Sequence, residues 1–151
     1  MKMDLLSEEE KLQWAWFAGI MDGEGTIGIY LYKDKEGHRQ DVLQVGIEMA
    51  HEPTIKQIDD IARVGSIQVR HRPPWKPMFG WHASNREAAS VLRYCMPFLV
   101  TKKAQAELGI EFMELKRLTR RGGQGATLAL SDISRRERIQ QAIQQLNKRG
   151  G

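Results

Sequence analysis

The sequence lacks the features typical of secreted and membrane proteins. It has a single cysteine, Cys95, so one chain can form neither a disulfide framework nor a thiolate zinc site. No apolar run approaches the roughly 20 residues that span a bilayer. The acidic start, MKMDLLSEEEK, has no apolar core of a secretory signal. We therefore expect an intracellular protein with no membrane partner, in bacterial or phage cytoplasm or in an organelle.

Acidic side chains are scarce in the second part of the chain. Residues 1–62 carry 6 basic and 13 acidic side chains, whereas residues 63–151 carry 17 basic and 6 acidic ones. A polyanion would be attracted to the second part, with salt-dependent affinity because binding releases counterions. A solvated surface explains the same distribution equally well, so charge alone does not identify a partner.

The first part of the chain predicts a helix, a β-hairpin and a second helix. Ser7 and Glu10 form a capping-box pattern that begins a helix reaching about Met21. The segments TIGIYLY and VLQVGIEM alternate apolar and polar residues, as paired strands do, and KDKEGHRQ joins them. A stripe of isoleucines predicts the second helix over about 53–63, which Gly65 ends.

A second strand pair and three more helices follow. SIQVRHR and MFGWHA predict the third and fourth strands, and the pattern does not assign the facing of the fourth. Ser84 and Glu87 form another capping-box pattern, for a helix reaching about Cys95. A long helix over about 102–119 comes next. After the linker GGQGAT, an amphipathic helix begins near Ser134.

This order predicts an α+β fold, with a core over residues 1–121 and a linker and C-terminal helical appendage over 122–151. Four strands can form one antiparallel sheet with helices on one face. The opposite face would stay open and could fit a groove of duplex DNA, where Arg pairs with guanine and Gln with adenine. A solvated face is the equal alternative. The side chains predicted on the open face are Tyr30, Tyr32, Gln44, Glu48, Gln68, Arg70 and Arg72.

Two tryptophans lie in or beside the fourth strand. Trp75 precedes MFGWHA and Trp81 lies within it. Core or rim packing is the usual role of such side chains. Contact with DNA is the alternative, and Trp81 is included with the predicted DNA contacts.

The end of the first helix carries the most specific signal. Residues 17–25 read FAGIMDGEG, followed by the strand TIGI. This segment resembles the nine-residue signature of the LAGLIDADG homing endonucleases position by position: an aromatic residue for the leading Leu, then Ala-Gly, two aliphatic residues, Asp, a small residue, an acid and Gly. The resemblance implies an αββαββα fold over roughly residues 7–119, with a four-stranded DNA-binding sheet backed by helices.

Small residues on the first helix predict a dimer interface. Ala15, Ala18, Gly19 and Asp22 lie at spacings of three or four and so share one helical stripe. Small side chains let two helix backbones approach closely, and the chain has one copy of the motif. We therefore expect a C₂ homodimer with the two motif helices packed about the axis. Contact with a helix of the same chain is the alternative. The resemblance implies a structural role for Asp22.

The second acid of the motif predicts a metal site. A dimer would bring two copies of Glu24 together, and closely spaced carboxylates bind a divalent cation. Oxygen ligands favour Mg²⁺, and Mn²⁺ should substitute. The resemblance implies that the backbone carbonyl of Gly23 is a second ligand.

Two further catalytic candidates come from the resemblance. The segment MPFLVTKK is similar to the stretch that supplies a lysine near the scissile phosphate, and Lys102 is the matching position. Lys103 is the candidate if the register differs by one, and a plain surface lysine is the alternative. His51 follows the second strand. The resemblance implies a polar group at this position that orders the attacking water. Capping the next helix is an equal interpretation for His51. The family's basic residue one turn later is replaced here by Ile55.

The resemblance implies a site-specific, metal-dependent double-strand DNA endonuclease that acts as a homodimer. Each subunit would read one half of a long pseudo-palindromic target, and cleavage would serve intron or intein homing. The alternative on the same fold is an intron RNA maturase or a DNA-binding protein that does not cleave.

Overall fold

The computed structural model describes residues 5–119 and 130–149. In chain order, the elements are α1 (Glu8–Glu24), β1 (Gly25–Lys33), β2 (Arg39–Met49), α2 (Glu52–Ala62), β3 (Ser66–Arg70), β4 (Met78–Ser84), α3 (Asn85–Cys95), α4 (Lys103–Thr119) and α5 (Leu130–Arg149). The four strands form one antiparallel sheet in the order β1-β2-β4-β3. The predicted α+β architecture and element order are therefore confirmed.

One face of the sheet carries the core. The register aligns Ile47 of β2 with Trp81 of β4, and Trp81 in turn with Ile67 of β3. Helices α1, α2, α3 and α4 cover this face. The ring of Phe17 in α1 meets Trp81 edge-on at a centroid distance of 5.5 Å, a favoured aromatic geometry. The motif helix is thereby fixed against the centre of the sheet.

Local capping explains where α1 and α2 begin and end. The predicted capping box is formed: the Glu10 N–H donates to Ser7 Oγ at 3.1 Å and the Ser7 N–H to Glu10 Oε1 at 3.2 Å. Helix α2 ends at Ala62 with Arg63 as its left-handed C-cap, two residues before the predicted Gly65, which itself has a positive φ of 85°. Gly65 instead passes close to β4, since a Cβ there would lie 2.5 Å from the carbonyl oxygen of His82.

The capping box predicted before α3 is wrong. Ser84 pairs with Gln44 as the last residue of β4, and its side chain makes no capping hydrogen bond. Asn85 adopts a left-handed φ of 49° and accepts the backbone N–H of Leu43 at 3.2 Å. The sheet therefore sets the start of α3.

Helix α5 covers the free edge of β1. The side-chain amide of Gln140 donates to the carbonyl oxygen of Ile29 at 3.2 Å, and that of Asn147 to Ile27 at 3.0 Å. These bonds satisfy carbonyls that an edge strand otherwise exposes to pairing with another chain. The C-terminal helix thus packs on the core, and it starts at Leu130, before the expected position. The predicted GGQGAT linker lies outside the described residues. No described helix is long and apolar enough to cross a membrane.

Candidate nucleic-acid interface

The acidic end of α1 lies where the helix meets the sheet. Gly25 ends the helix, and its N–H donates to the carbonyl of Met21. A Cβ at Gly25 would lie 2.7 Å from that carbonyl oxygen, so a glycine is needed for the tight passage into β1. Gly23 and Glu24 are exposed. Within the described part of the chain, the Glu24 carboxylate has no hydrogen bond or ion pair, so it can accept a ligand.

Asp22 and Lys102 join this end of α1 to the start of α4. The Asp22 carboxylate accepts the backbone N–H groups of Val100 and Lys102, both at 2.9 Å. These N–H groups precede α4, whose positive dipole end favours a carboxylate. The side-chain nitrogen of Lys102 donates to the backbone carbonyl of Asp22 at 2.6 Å. The predicted lysine therefore contacts α1 at Asp22, two residues before Glu24. No described carboxylate forms an ion pair with it.

His51 is the N-cap of α2. Its Nδ1 accepts the backbone N–H of Thr54 at 3.3 Å and lies 2.6 Å from the Thr54 hydroxyl oxygen. Of the two interpretations of His51, helix capping is the one that its contacts display. Ile55, at the position of the family's basic residue, is fully buried in the core.

The outer face of the sheet is open and polar. Six of the seven side chains predicted on this face do lie on its strands: Tyr30, Tyr32, Gln44, Glu48, Gln68 and Arg70. Arg70 donates a hydrogen bond to Glu48, whose other oxygen lies 3.5 Å from His82 Nε2. The prediction of Arg72 on a strand is wrong, because β3 ends at Arg70 and Arg72 lies in the following loop.

Glycines make room for flat side chains on this face. A Cβ at Gly46 would lie 2.6 Å from Nδ1 of His82, and a Cβ at Gly80 would lie 2.7 Å from its Nε2. The His82 ring therefore lies across two neighbouring strands. A Cβ at Gly28 would likewise lie 2.7 Å from the Tyr30 hydroxyl.

The prediction of Trp81 as a DNA contact is wrong. Trp81 is fully buried, and its indole N–H donates to the carbonyl of Val64 at 3.0 Å. Because side chains alternate along a strand, His82 lies on the open face and Trp81 does not. The cross-strand row of Trp81 with Ile47 and Ile67 settles this facing, and the sequence of β4 alone gave no signal for it.

The outward face of α1 is apolar and partly unoccupied by side chains. Leu12 is 71% exposed and Trp16 41% exposed, and the exposed Gly19 and Gly23 continue the same stripe. Nothing lies within 4 Å of a Cβ built on either glycine.

The predicted dimer-interface residues divide between this face and the core. Gly19 belongs to the exposed stripe, and Ala15 and Asp22 are half-buried beside it. Ala18 contradicts the prediction: it is fully buried, because it shares the inner face of α1 with Trp14 and Phe17.

An acidic cluster in the β1–β2 turn is the one group of three or more metal-binding side chains among the described residues. Its members are Asp34, Glu36 and His38, all exposed. Asp34 Oδ1 accepts the backbone N–H groups of Glu36 at 2.9 Å and His38 at 2.8 Å. The pKa of Asp34 is lowered, mainly by the hydrogen bonds that it accepts from His38. The cluster is accounted for by these turn contacts, and it does not include Glu24.

Comparisons with known proteins identify the fold. No family model and no curated protein matches the sequence. The solved structure of the homing endonuclease I-CvuI with its target, in the presence of Ca, is 17% identical with a TM-score of 0.64, over 93% of this chain and 98% of that chain. An archaeal intron-encoded homing endonuclease complexed with DNA is 13% identical with a TM-score of 0.72, over 91% and 85%.

A third structure is larger than this chain. The LAGLIDADG homing endonuclease I-GzeII in complex with its DNA target is 16% identical with a TM-score of 0.68, and the match covers 85% of this chain but 43% of that one. This chain has the LAGLIDADG homing endonuclease fold.

Proposed function

We propose that the protein is a homing endonuclease that cleaves both strands of a long pseudo-palindromic DNA target as a metal-dependent homodimer. The observation that carries the proposal is the junction of α1 and α4. There, the backbone carbonyl of Asp22 accepts a hydrogen bond from the ammonium group of Lys102 at 2.6 Å. The exposed carboxylate of Glu24 lies two residues farther along the chain. An unpaired carboxylate and a nearby unpaired cation suit a metal-assisted attack on a phosphodiester.

The open face of the sheet is proposed to bind the duplex. Its tyrosines, glutamines and arginine match the donors and acceptors in the major groove. The pairing of Glu48 with Arg70 restricts the guanidinium to one orientation while leaving other N–H donors for a base. DNA in the neighbours' printed complexes supports this choice of ligand.

The homodimer is supported by the outer face of α1. A stripe of Leu12, Trp16 and two glycines exposes apolar surface while allowing close backbone approach. The match to I-GzeII covers less than half of that larger chain. A second copy of this chain would supply the missing half and a second Glu24.

Mg²⁺ is the proposed metal, with Mn²⁺ as a substitute. Glu24 and Gly23 are exposed residues, and carboxylate and carbonyl oxygens are hard donors of the kind such ions prefer. When bound, the ion stabilises negative charge on the phosphate and favours ionisation of a water. Lys102 would hold a phosphate oxygen, and Asp22 would fix the helix ends that position both groups. His51 would cap α2, and an additional role in ordering water is tested below.

Binding of intron RNA is the second candidate function. A groove of about 520 Å³ between α3 and α4, on the helical side away from the open face, is lined by three arginines and by Glu114, which pairs with two of them. The arginines are Arg86, Arg93 and Arg117. This basic groove offers a second surface for a polyanion. Tight RNA binding without cleavage of any DNA would favour the maturase over the nuclease.

A cleavage selection on a plasmid library with randomised inserts tests the proposal without a known target. With Mg²⁺ or Mn²⁺, the protein should linearise a small subset of the plasmids. The inserts of those plasmids should share a common sequence. Glu24→Gln should abolish linearisation while preserving binding to the same inserts. Glu111→Gln, which neutralises an exposed carboxylate on α4, is the matched control. Cleavage that persists in Glu24→Gln at the wild-type rate would refute the assignment.

A further inference from the structure

The loop of residues 71–77, between β3 and β4, presents an exposed tryptophan. Trp75 is 77% exposed, more than any other aromatic side chain in the described part of the chain. Pro73, Pro74 and Pro77 restrict φ on both sides of Trp75. The backbone N–H of Trp75 donates to the carbonyl of Arg72 at 2.9 Å. The backbone that carries this exposed ring is therefore stiff. Little backbone entropy is lost when a partner covers the ring.

The charge around Trp75 selects the chemistry of its partner. Residues 61–86 contain five arginines and lysines and no aspartate or glutamate. Arg72 and Lys76 are exposed on either side of Trp75, and no described carboxylate forms an ion pair with either. A ring between two unpaired cations suits a chain that alternates phosphates with flat bases and sugars.

The strand register locates the loop relative to the acidic end of α1. Gly25, directly after Glu24, aligns with Ile47, which aligns with Trp81. The last pair of β3 with β4 is Arg70 with Met78, farther toward the same end of the sheet. The loop and Glu24 therefore leave the sheet at one end, separated across it by two to three strand spacings, about 10–14 Å.

We propose that loop 71–77 is a second DNA-contacting element, in which Trp75 packs on the duplex and Arg72 and Lys76 bind its phosphates. The inference rests on the proposed function, because a duplex on the open face that reaches Glu24 also reaches this end of the sheet. The contact holds the DNA near the cleaved bonds through groups that read no particular sequence. A second copy of the chain is disfavoured as the partner, since two cationic loops would repel each other.

Tryptophan fluorescence tests the contact directly. Acrylamide quenching of the wild type is compared with Trp75→Phe, with and without a 30-base-pair mixed-sequence duplex. The difference between the two proteins reports Trp75, which should be quenched freely without DNA and shielded with it. Shielding that is already present in the DNA-free protein would show that the loop packs on protein and would overturn the proposal.

Affinity measurements separate the two kinds of contact. Trp75→Ala should weaken duplex binding about tenfold, because the apolar surface of the ring is no longer buried, and should leave the slope of log K against log salt unchanged. Arg72→Ala with Lys76→Ala should reduce the magnitude of that slope by about 1.8, the value for two lost phosphate contacts. Arg135→Ala with Arg138→Ala removes the same charge from the side of α5 that faces α4, and should leave the slope unchanged.

The outcomes distinguish this inference from the nuclease assignment. Wild-type binding that the loop variants share overturns the loop contact and leaves the nuclease proposal standing. Loop-dependent binding by a protein that cleaves no DNA supports the loop contact and refutes the nuclease. A wild type that binds no duplex refutes both.

Discussion

The side-chain nitrogen of Lys102 lies 2.6 Å from the backbone carbonyl oxygen of Asp22, and the Asp22 carboxylate accepts the backbone N–H of Lys102 at 2.9 Å. The two residues therefore hold each other through both backbone and side chain, across 80 positions of sequence. The exchange fixes the end of α1 to the start of α4. It also leaves the ammonium charge of Lys102 without a carboxylate partner among the described residues, so the charge remains available to a phosphate.

Removal of the Asp22 carboxylate should destabilise the protein. Asp22→Ala removes two hydrogen bonds to a charged acceptor, one from the exposed N–H of Val100 and one from the part-buried N–H of Lys102, so we expect a loss of about 2 kcal/mol in the free energy of unfolding. Asp22→Asn keeps an acceptor oxygen and should lose less. Urea unfolding followed by circular dichroism measures both, with Asp60→Ala on the exposed face of α2 as the control. An unfolding midpoint equal to that of the wild type in Asp22→Ala would contradict this role.

Lys102 should affect cleavage far more than binding. Lys102→Ala removes a charge aimed at the end of α1, and we expect cleavage to slow about 10²–10³-fold with little change in DNA affinity. Lys103→Ala is the matched control, because Lys103 is exposed as the first residue of α4 and the structure shows no side-chain bond to α1. Single-turnover rates on the selected plasmid decide between them. The larger effect in Lys103→Ala would shift the catalytic assignment by one residue.

Two substitutions of His51 separate capping from catalysis. His51→Ala should destabilise the protein by about 1 kcal/mol because α2 loses its N-cap. His51→Asn keeps a capping acceptor but removes the imidazole, so stability should remain close to that of the wild type. If His51 only caps the helix, the cleavage rate of His51→Asn is also close to that of the wild type. A stable but slow His51→Asn protein would assign the ring a role in the reaction.

A charge in the outer stripe of α1 should separate the proposed dimer. Gly19→Glu meets nothing within 4 Å of its Cβ in one chain, and glycine is a poor helix former, so the monomer should keep its stability. In a dimer the new carboxylates would face each other. Sedimentation should show a dimeric wild type and a folded, monomeric Gly19→Glu protein. Gln57→Glu, an added carboxylate on the exposed side of α2, should remain dimeric, and a Gly19→Glu dimer would place the interface elsewhere.

Cys95 should be inert in the native protein. Burial, and secondarily the charge of Asp22, raise the pKa of this thiol, so the reactive thiolate is scarce. Ellman's reagent at pH 8 should react only after unfolding. Because the folded thiol keeps its proton, this group's stabilising contribution is complete below the usual thiol pKa and is lost as pH rises above it. Cys95→Ala should lack that alkaline loss, and rapid native labelling would contradict the burial.

The open face shows why sequence predicted one part of the site better than another. The alternation in β1 and β2 is clear, and Tyr30, Gln44 and Glu48 lie on the predicted face. In β4, apolar residues occupy both faces, so the pattern could not choose between Trp81 and His82. For Ala18, helical spacing placed small residues together but did not reveal that Phe17 and Trp14 draw that side into the core.

The sequence by itself determined the features that depend on neighbouring residues. These are the capping box of Ser7 and Glu10, the alternation of the first hairpin, and the motif that ends at Gly25. Only the tertiary structure decided which side of β4 is buried, that Asp22 binds the start of α4, and that Lys102 lies beside the end of α1. Those relationships depend on strand pairing and on contacts between segments up to 80 residues apart, which local periodicity does not encode.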